Sequence, residues 1–284
     1  MPTDALAAER RRAVARLAQA GVQAPEREAA WLFEAVTGLD PARQRLHPDA
    51  LLTPAQRRRL RRLLARRCAR EPLQLVLRGA EFHGLRLRVR RGVLLPRPET
   101  EALVELVLAD LDAARPSVVL DVGTGTGALA LALAAARPRA DVLASDVDPA
   151  AVALTRRNAR ALGLRVGVCR ADLLDHPRLR AAARRADVLV ANLPYLPDAD
   201  RGTLPPELAW ESPAALFAGR DGLALARRLR AQAWRALPPG AVAWWELDPR
   251  NAATFMREAR ALGWSQARLA ADLVGRRRFV RLVR

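Results

Sequence analysis

The chain has 284 residues, enough for one large domain or two unequal ones with a sizeable core. Its hydrophobic fraction, 51%, is that of a globular protein, and no run reaches the roughly 18 apolar residues of a membrane span. The net charge is +18, and all 48 basic residues are arginine. Without lysine, P-loop and Schiff-base chemistry are excluded.

The positive excess favours an acidic partner, such as RNA or a ribosomal surface, with salt-dependent affinity, although a GC-rich genome also produces this arginine bias. The segment Met1–Arg10 lacks the apolar core of a signal peptide. Cys68 and Cys169 stand far apart, with neither a disulfide framework nor metal-ligand spacing. A cytoplasmic enzyme without a metal or a membrane anchor is expected.

Residues 4–70 carry helical spacing, in Ala13–Ala18, Ala29–Val36 and the Leu60/Leu63/Leu64 stripe, punctuated by Gly21, Gly38, Pro41, Pro48 and Pro54. The run Arg57–Arg67 predicts an arginine face opposite the leucines, either a solvated outer face or a docking surface for an anionic partner. From Glu81 the period changes to alternation around His83-Gly84, which predicts a short hairpin before Val93–Leu95. Pro96–Glu101 then opens a helix running to about Ala114, because proline and acidic residues suit a first turn.

Strands and helices alternate beyond Pro116. Strands are predicted at 117–121, 141–145, 165–169, 187–191 and 241–247, and helices at 127–136, 149–162, 222–237 and 250–262. Segments 266–270 and 277–283 predict a closing hairpin. This order implies an α/β domain with a mostly parallel sheet and helices on both faces, whose ligands bind at the carboxyl ends of the strands.

Asp121-Val-Gly-Thr-Gly-Thr-Gly127 joins the first of these strands to its helix. Glycines there let the backbone turn sharply and approach a nucleotide-type ligand without a Cβ clash. With Ala128 the loop also satisfies G-x-G-x-x-A, so NAD stays open on this feature alone. Asp146, at the end of the second strand, is placed to accept hydrogen bonds from ribose hydroxyls. Asp172 suits an adenine amino group and Leu173 an adenine face, with an ordinary turn as the alternative. Asp121 is expected to orient the glycine loop and to contact the cofactor through its methionine amino group.

Asn192-Leu-Pro-Tyr195 follows the strand over 187–191. A primary amide nitrogen is a poor nucleophile, because its lone pair is delocalised into the carbonyl. The Asn192 side-chain oxygen and the Leu193 carbonyl can accept both its N–H groups, aim the nitrogen and favour its pyramidalisation. Pro194 removes a donor and confines Leu193 to extended backbone, which directs that carbonyl. Tyr195, the sole tyrosine, can lie against a planar group. Together the two motifs predict S-adenosyl-L-methionine-dependent methylation of an amide or exocyclic amine. His47, His83 and His176 are isolated and expected in turns or on the surface, and Glu246 is a candidate for the cleft or for a structural role.

These residues resemble the HemK-type protein-(glutamine-N5) methyltransferases, which modify the Gly-Gly-Gln glutamine of peptide-chain release factors. The resemblance runs through Glu71–Gln74, Gly79–Gly84, Leu95–Glu101, Asp121–Gly127, Asn192–Tyr195, Gly219–Leu223 and Asp272–Arg278, nearly the whole chain. It implies a helical substrate-docking domain over 1–74, a β-hairpin linker over 75–95 and a Rossmann-like class I methyltransferase domain over 96–284. It also implies cofactor contacts at Gly123, Thr124, Gly125, Thr126, Gly127, Asp146, Leu173 and Asn192, and the substrate glutamine at Asn192, Leu193, Pro194 and Tyr195.

Two positions depart from the family pattern. Leu193 stands where a proline is usual, and Leu247 follows Glu246 where a glycine is usual. Asn-Leu-Pro-Tyr is also the form found in ribosomal-RNA adenine N6-dimethyltransferases, whose extra helical domain comes after the catalytic one. Methylation of a ribosomal-protein glutamine is the nearer alternative. A non-catalytic, arginine-rich RNA-binding protein with a relict methyltransferase fold is the competitor from another class.

Overall fold

The computed structural model describes residues 5–284; residue 4, where the helical spacing begins, lies outside them. The helices are α1 (Leu6–Gln19), α2 (Pro25–Thr37), α3 (Pro41–Leu46), α4 (Pro54–Cys68), α5 (Leu73–Leu77), α6 (Pro98–Asp110), α7 (Ala128–Ala136), α8 (Pro149–Leu162), α9 (Pro177–Ala183), α10 (Ala224–Ala236) and α11 (Pro249–Ala261). The strands are β1 (Ala80–Phe82), β2 (Leu85–Leu87), β3 (Val118–Val122), β4 (Asp141–Asp146), β5 (Gly167–Arg170), β6 (Val188–Ala191), β7 (Val242–Glu246), β8 (Ser265–Ala271) and β9 (Arg277–Val283). Proline opens α2, α3, α4, α6, α8, α9 and α11. Its missing N–H costs nothing at a first helical position, so many of the chain's prolines mark helix starts.

Two compact units emerge, one running to Gly79 and taking in Pro205–Trp210, the other comprising Ala80–Leu204 and Glu211–Arg284. In the first, Leu6, Leu17, Phe33, Leu60 and Leu64 share one core. A capping box between Thr53 and Gln56 starts α4. The arginine run does not act as a single face. Arg57 pairs with Glu9, Arg66 with Glu71, and the buried Arg67 with Glu28 and Glu207, whereas Arg58, Arg59, Arg61 and Arg62 are exposed. Arg70 grips Glu207 through two bonds of 2.8 Å, which ties Pro205–Trp210 to this unit. Sequence alone predicts that segment within the catalytic domain.

In the second unit β1 and β2 form the expected hairpin. His83 and Gly84 both take positive φ, 48° and 73°, as a two-residue turn between right-twisted strands requires. The main sheet has the order β5-β4-β3-β6-β7-β9-β8 and is parallel except where β9 runs antiparallel to β7 and β8. Alternate residues face opposite layers: Leu120, Val122 and Leu189 join the core with α9, α10 and α11, while Val119, Val188 and Val190 pack with α6, α7 and α8. Helix α7, apolar all round, is almost wholly buried.

Helix α6 runs from Pro98 to Asp110, starting later and ending earlier than expected. Its last residue, Asp110, is its anchor. The carboxylate accepts from Trp244 Nε1 at 2.8 Å and from the Arg281 guanidinium, with Nη2 at 2.7 Å, so one side chain fastens the helix to β7 and β9. Arg281 and Asp110 are largely shielded from water, their side chains 10% and 14% exposed. Asp110→Ala therefore strands a guanidinium and an indole N–H and is expected to cost about 3 kcal/mol; urea unfolding compared with the wild type measures it.

Candidate active site

β3, β4 and β5 follow one another toward one edge of the sheet, whereas β6 returns to the other side of β3 and β7 continues outward. The reversal falls between β3 and β6, and a crevice at the carboxyl ends of strands opens at such a switch point. The register pairs Val122 with Ala191 as the last residues of the two strands. Gly123 and Asn192 therefore leave the sheet side by side. A cleft opens there, and Gly123, Gly125, Asp146, Leu173, Asn192 and Leu193 are among its walls.

The glycine loop is held from below. Gly123 and Thr124 donate their N–H groups to the Ser145 carbonyl, both at 2.9 Å. Gly123, Gly125 and Gly127 all take positive φ. A Cβ on Gly123 would lie 2.6 Å from Leu193 Cδ2, and one on Gly127 would lie 2.9 Å from Leu131 and Thr155, so a substitution would have to move those side chains in addition to straining a backbone that favours glycine. Asp146 accepts from Gly125 N–H and Asp148 N–H at 2.9 Å each. Burial pushes its carboxyl above the usual range, against those backbone bonds.

Asp121 is fully buried under the loop. Its Oδ2 accepts from the Thr124 hydroxyl at 2.6 Å and the Ala130 N–H at 3.2 Å, while its Oδ1 has no hydrogen-bond partner. Burial lifts its pKa to about 7. Asp121, Thr124, Thr126, Gly127 and Tyr195 are not among the cleft walls. The Thr124 hydroxyl is spent on Asp121, and Thr126 is 2% exposed. Asp172 lines the cleft but is ion-paired to Arg228 at 2.7 Å, a partner that sequence spacing did not suggest. Leu173, at a φ of 54°, turns its buried side chain into the cleft wall.

Asn192 is 9% exposed. Its Nδ2 donates to Thr100 Oγ1 at 3.1 Å, and its Oδ1 has no hydrogen-bond partner. Thr100 belongs to Leu95–Glu101, a motif to which sequence alone assigned no task. Arg97 of that motif pairs at 2.5 Å with the buried Glu211, which burial pushes above its usual pKa. Tyr195 is partly buried, and burial, with Glu246 adding to it, holds its phenol above the usual range.

The motifs Gly219–Leu223 and Asp272–Arg278 support the site without lining it. Asp198 donates its N–H to the Gly219 carbonyl at 2.9 Å, and the Gly222 backbone presses against the Tyr195 carbonyl. Asp272 accepts from Arg276 N–H at 2.8 Å and from Arg278 Nε at 2.7 Å, closing the β8–β9 turn. His47 ends α3, His83 contacts Glu105, and His176 caps α9, all as turn or surface residues. Among the described residues no cluster suited to a metal ion occurs, and no helix is long and apolar enough to cross a membrane.

A mostly parallel sheet with a glycine loop after β3 and an Asn-x-Pro-Tyr segment after β6 defines a class I methyltransferase fold. Residues 10–77 match the PrmC N-terminal domain and residues 99–219 the methyltransferase small domain. The release factor glutamine methyltransferase of Deinococcus radiodurans is 45% identical over 269 residues, 95% of each chain. That of Cereibacter sphaeroides is 38% identical, again over 95% of each. The chain belongs to the release factor glutamine methyltransferase family. The solved hMettl16 catalytic domain superposes with a TM-score of 0.59 at 18% identity, covering 78% of this chain and 80% of that one, a likeness of fold.

Gly222→Ala would place a Cβ against the Tyr195 and Leu196 backbone at a residue whose φ is 74°. It is expected to lower stability by about 2 kcal/mol or more; thermal unfolding beside the wild type checks this.

Proposed function

We propose that the chain transfers a methyl group from S-adenosyl-L-methionine to the side-chain amide nitrogen, N5, of the glutamine in the Gly-Gly-Gln motif of peptide-chain release factors. One observation carries the chemistry: a buried amide oxygen, Asn192 Oδ1, stands without a partner beside the glycine loop while its own Nδ2 is engaged. Family membership supports the substrate. The residues fit the cofactor. Gly123 and Gly125 leave backbone accessible in the cleft wall, Asp146 keeps acceptor capacity at the end of β4 for ribose hydroxyls, and Leu173 offers an apolar face to adenine. We assign Asp121, Thr124, Thr126 and Gly127 to shaping the loop, and Asp172 to the adenine end.

When bound, the cofactor supplies an electrophilic methyl group on a sulfonium sulfur. Asn192 Oδ1 and the Leu193 carbonyl accept the two N–H groups of the substrate carboxamide and orient its nitrogen. As the nitrogen pyramidalises its N–H groups become more acidic, so these two acceptors bind the transition state more strongly than the ground state. No strong base is needed, because the proton leaves only after alkylation. Tyr195 stays a neutral phenol and packs against the planar amide.

The segment 1–74 is assigned to docking the release factor, 75–95 to a linker and 96–284, apart from Pro205–Trp210, to catalysis, in the cytoplasm. Exposed Arg58, Arg59, Arg61 and Arg62 are the part of α4 available to an anionic partner, including a ribosomal or RNA surface.

Incubation with labelled S-adenosylmethionine and purified release factor is expected to add one methyl group to the Gly-Gly-Gln peptide, read by mass. Label in naked ribosomal RNA that survives protease would select the RNA enzyme instead. Asn192→Ala is expected to lower turnover by roughly 100-fold or more while cofactor affinity, measured by calorimetry, largely persists. Unchanged turnover would remove the role given to that side chain.

A further inference from the structure

We infer that Arg97 and Glu211 form a staple between two walls of the cofactor cleft and so set how firmly the site holds S-adenosylmethionine, an inference that rests on the proposed cofactor. Both are positioning residues: neither is among the cleft walls, and the chemistry assigned to Asn192 and Leu193 uses neither. Two stretches distant in sequence meet in those walls. One is Gly92–Leu94, from the strap that joins β2 to α6; the other comprises Ser212, Ala214 and Ala215. Leu95 directly follows the first, and Glu211 directly precedes the second.

The strap is anchored to α8 near its start. Asn158, a buried residue of that helix, accepts from the Arg88 N–H at 2.9 Å and donates to the Arg88 carbonyl at 3.0 Å. It also donates to the Thr126 carbonyl at 2.9 Å, so one amide ties the strap to the glycine loop. Val93 is then buried against Ala151 and Leu154 of the same helix. A Cβ placed on Gly125 would have the Leu94 carbonyl and Val93 Cγ1 each at 3.9 Å, so the strap lies against the glycine loop. Glu211 holds the far end. Its Oε1 accepts from Arg97 Nη2 at 2.5 Å, and its Oε2 from the Leu95 N–H at a longer 3.4 Å.

The carboxylate is the buried member of the pair, its side chain 1% exposed against 29% for Arg97. A charge so placed has to keep its partner, so the end of the strap cannot drift from Glu211. Walls that are already in place cost an entering cofactor little ordering. Without the pair, the strap keeps its hold on α8, but its end moves freely relative to the second wall and is ordered again at each binding event. Stability and binding respond differently. Removing Arg97 strands a buried carboxylate, whereas removing Glu211 leaves a guanidinium that reaches water. The Arg97 change therefore costs more stability, while either change weakens the cofactor site alike.

The test compares the whole chain with Arg97→Leu, Glu211→Leu, Glu211→Gln and the double leucine variant. S-adenosylmethionine binding is measured by calorimetry at a temperature where thermal unfolding shows each protein folded, and hydrogen exchange is followed at the Leu95 amide without ligand. Each single leucine variant is expected to bind about tenfold more weakly and to exchange faster at Leu95. The double variant is expected to bind no more weakly than the weaker single, because the same contact is lost only once. Glu211→Gln, which keeps an acceptor for Arg97, is expected to recover part of the loss. Affinity within about twofold of the wild type in both single leucine variants, or losses that add in the double, overturns the staple. Should a single variant not fold, the double, which strands no charge, decides by the same affinity limit. A wild type that binds no S-adenosylmethionine would instead overturn the proposed cofactor, and the staple's role with it.

Discussion

Everything at the site depends on the pairing of β3 with β6. Four residue pairs, ending in Val122 with Ala191, bring together two loops nearly 70 residues apart in the chain. A slip of one residue would turn every side chain of β6 to the opposite layer and move Asn192 away from the glycine loop. Burial forbids the slip. All of β6 is buried, with Leu189 and Ala191 packed in one layer and Val188 and Val190 in the other. The hydrophobic core thus acts as the ruler that places the polar atoms, and Leu193 strengthens it. Its side chain covers Gly123, so the segment after β6 rests directly on the loop after β3. A proline there would reach less far, which makes leucine a packing variant at a position whose chemistry is assigned to the main chain.

Much of this was legible in the sequence where local rules govern. Helix α8 lies at 149–162, as expected, because Asp148 caps it, Pro149 opens it and Gly163 closes it in left-handed geometry. The hairpin at His83-Gly84, the final antiparallel pair and the glycine turn are likewise local signals. Short elements fixed by tertiary contacts escaped. Helix α9 spans only Pro177–Ala183 and takes its cap from the His176 imidazole rather than from one of the usual capping residues. Pro205–Trp210 belongs with the helical unit because Glu207 meets Arg67 and Arg70, more than 130 residues away in sequence. Thr100 and Asn192, 92 residues apart, meet for the same reason. The Leu95–Glu101 motif announced itself by its residues, but its task is visible only once α6 lies beside β6.

An all-arginine basic complement changes how the charge is spent. Arginine's planar fork can make two parallel bonds to a carboxylate, which suits it to shielded pairs better than an ammonium. Arg66 with Glu71, Arg70 with Glu207, Arg227 with Glu258 and Arg281 with Asp110 all use it in this way. Part of an arginine-rich stretch is therefore internal scaffolding. On α4 positions 58, 59, 61 and 62 are exposed, whereas Arg57, Arg66 and Arg67 are held in ion pairs. A count of arginines overstates the surface available to an acidic partner, and only the exposed subset can give salt-dependent binding.

Among the buried acceptors that lack partners, two flank the β3–β6 pairing, Asp121 Oδ1 beneath the loop after β3 and Asn192 Oδ1 at the end of β6. Leaving such an atom unsatisfied costs about 1–3 kcal/mol, more when it is charged, and evolution removes the cost cheaply wherever nothing depends on it. A leucine or alanine would do so at either position. Both residues instead keep one half of their polar group fully employed, Asp121 with Thr124 and Ala130, and Asn192 with Thr100. Half-employed groups cannot rotate to satisfy the other half without breaking the first bond. The fold therefore holds each lone acceptor in a fixed direction, and for Asn192 it does so in the wall of the cleft. On the proposed reading, orientation is already established before the substrate amide arrives, so its two N–H groups meet acceptors that need not reorganise.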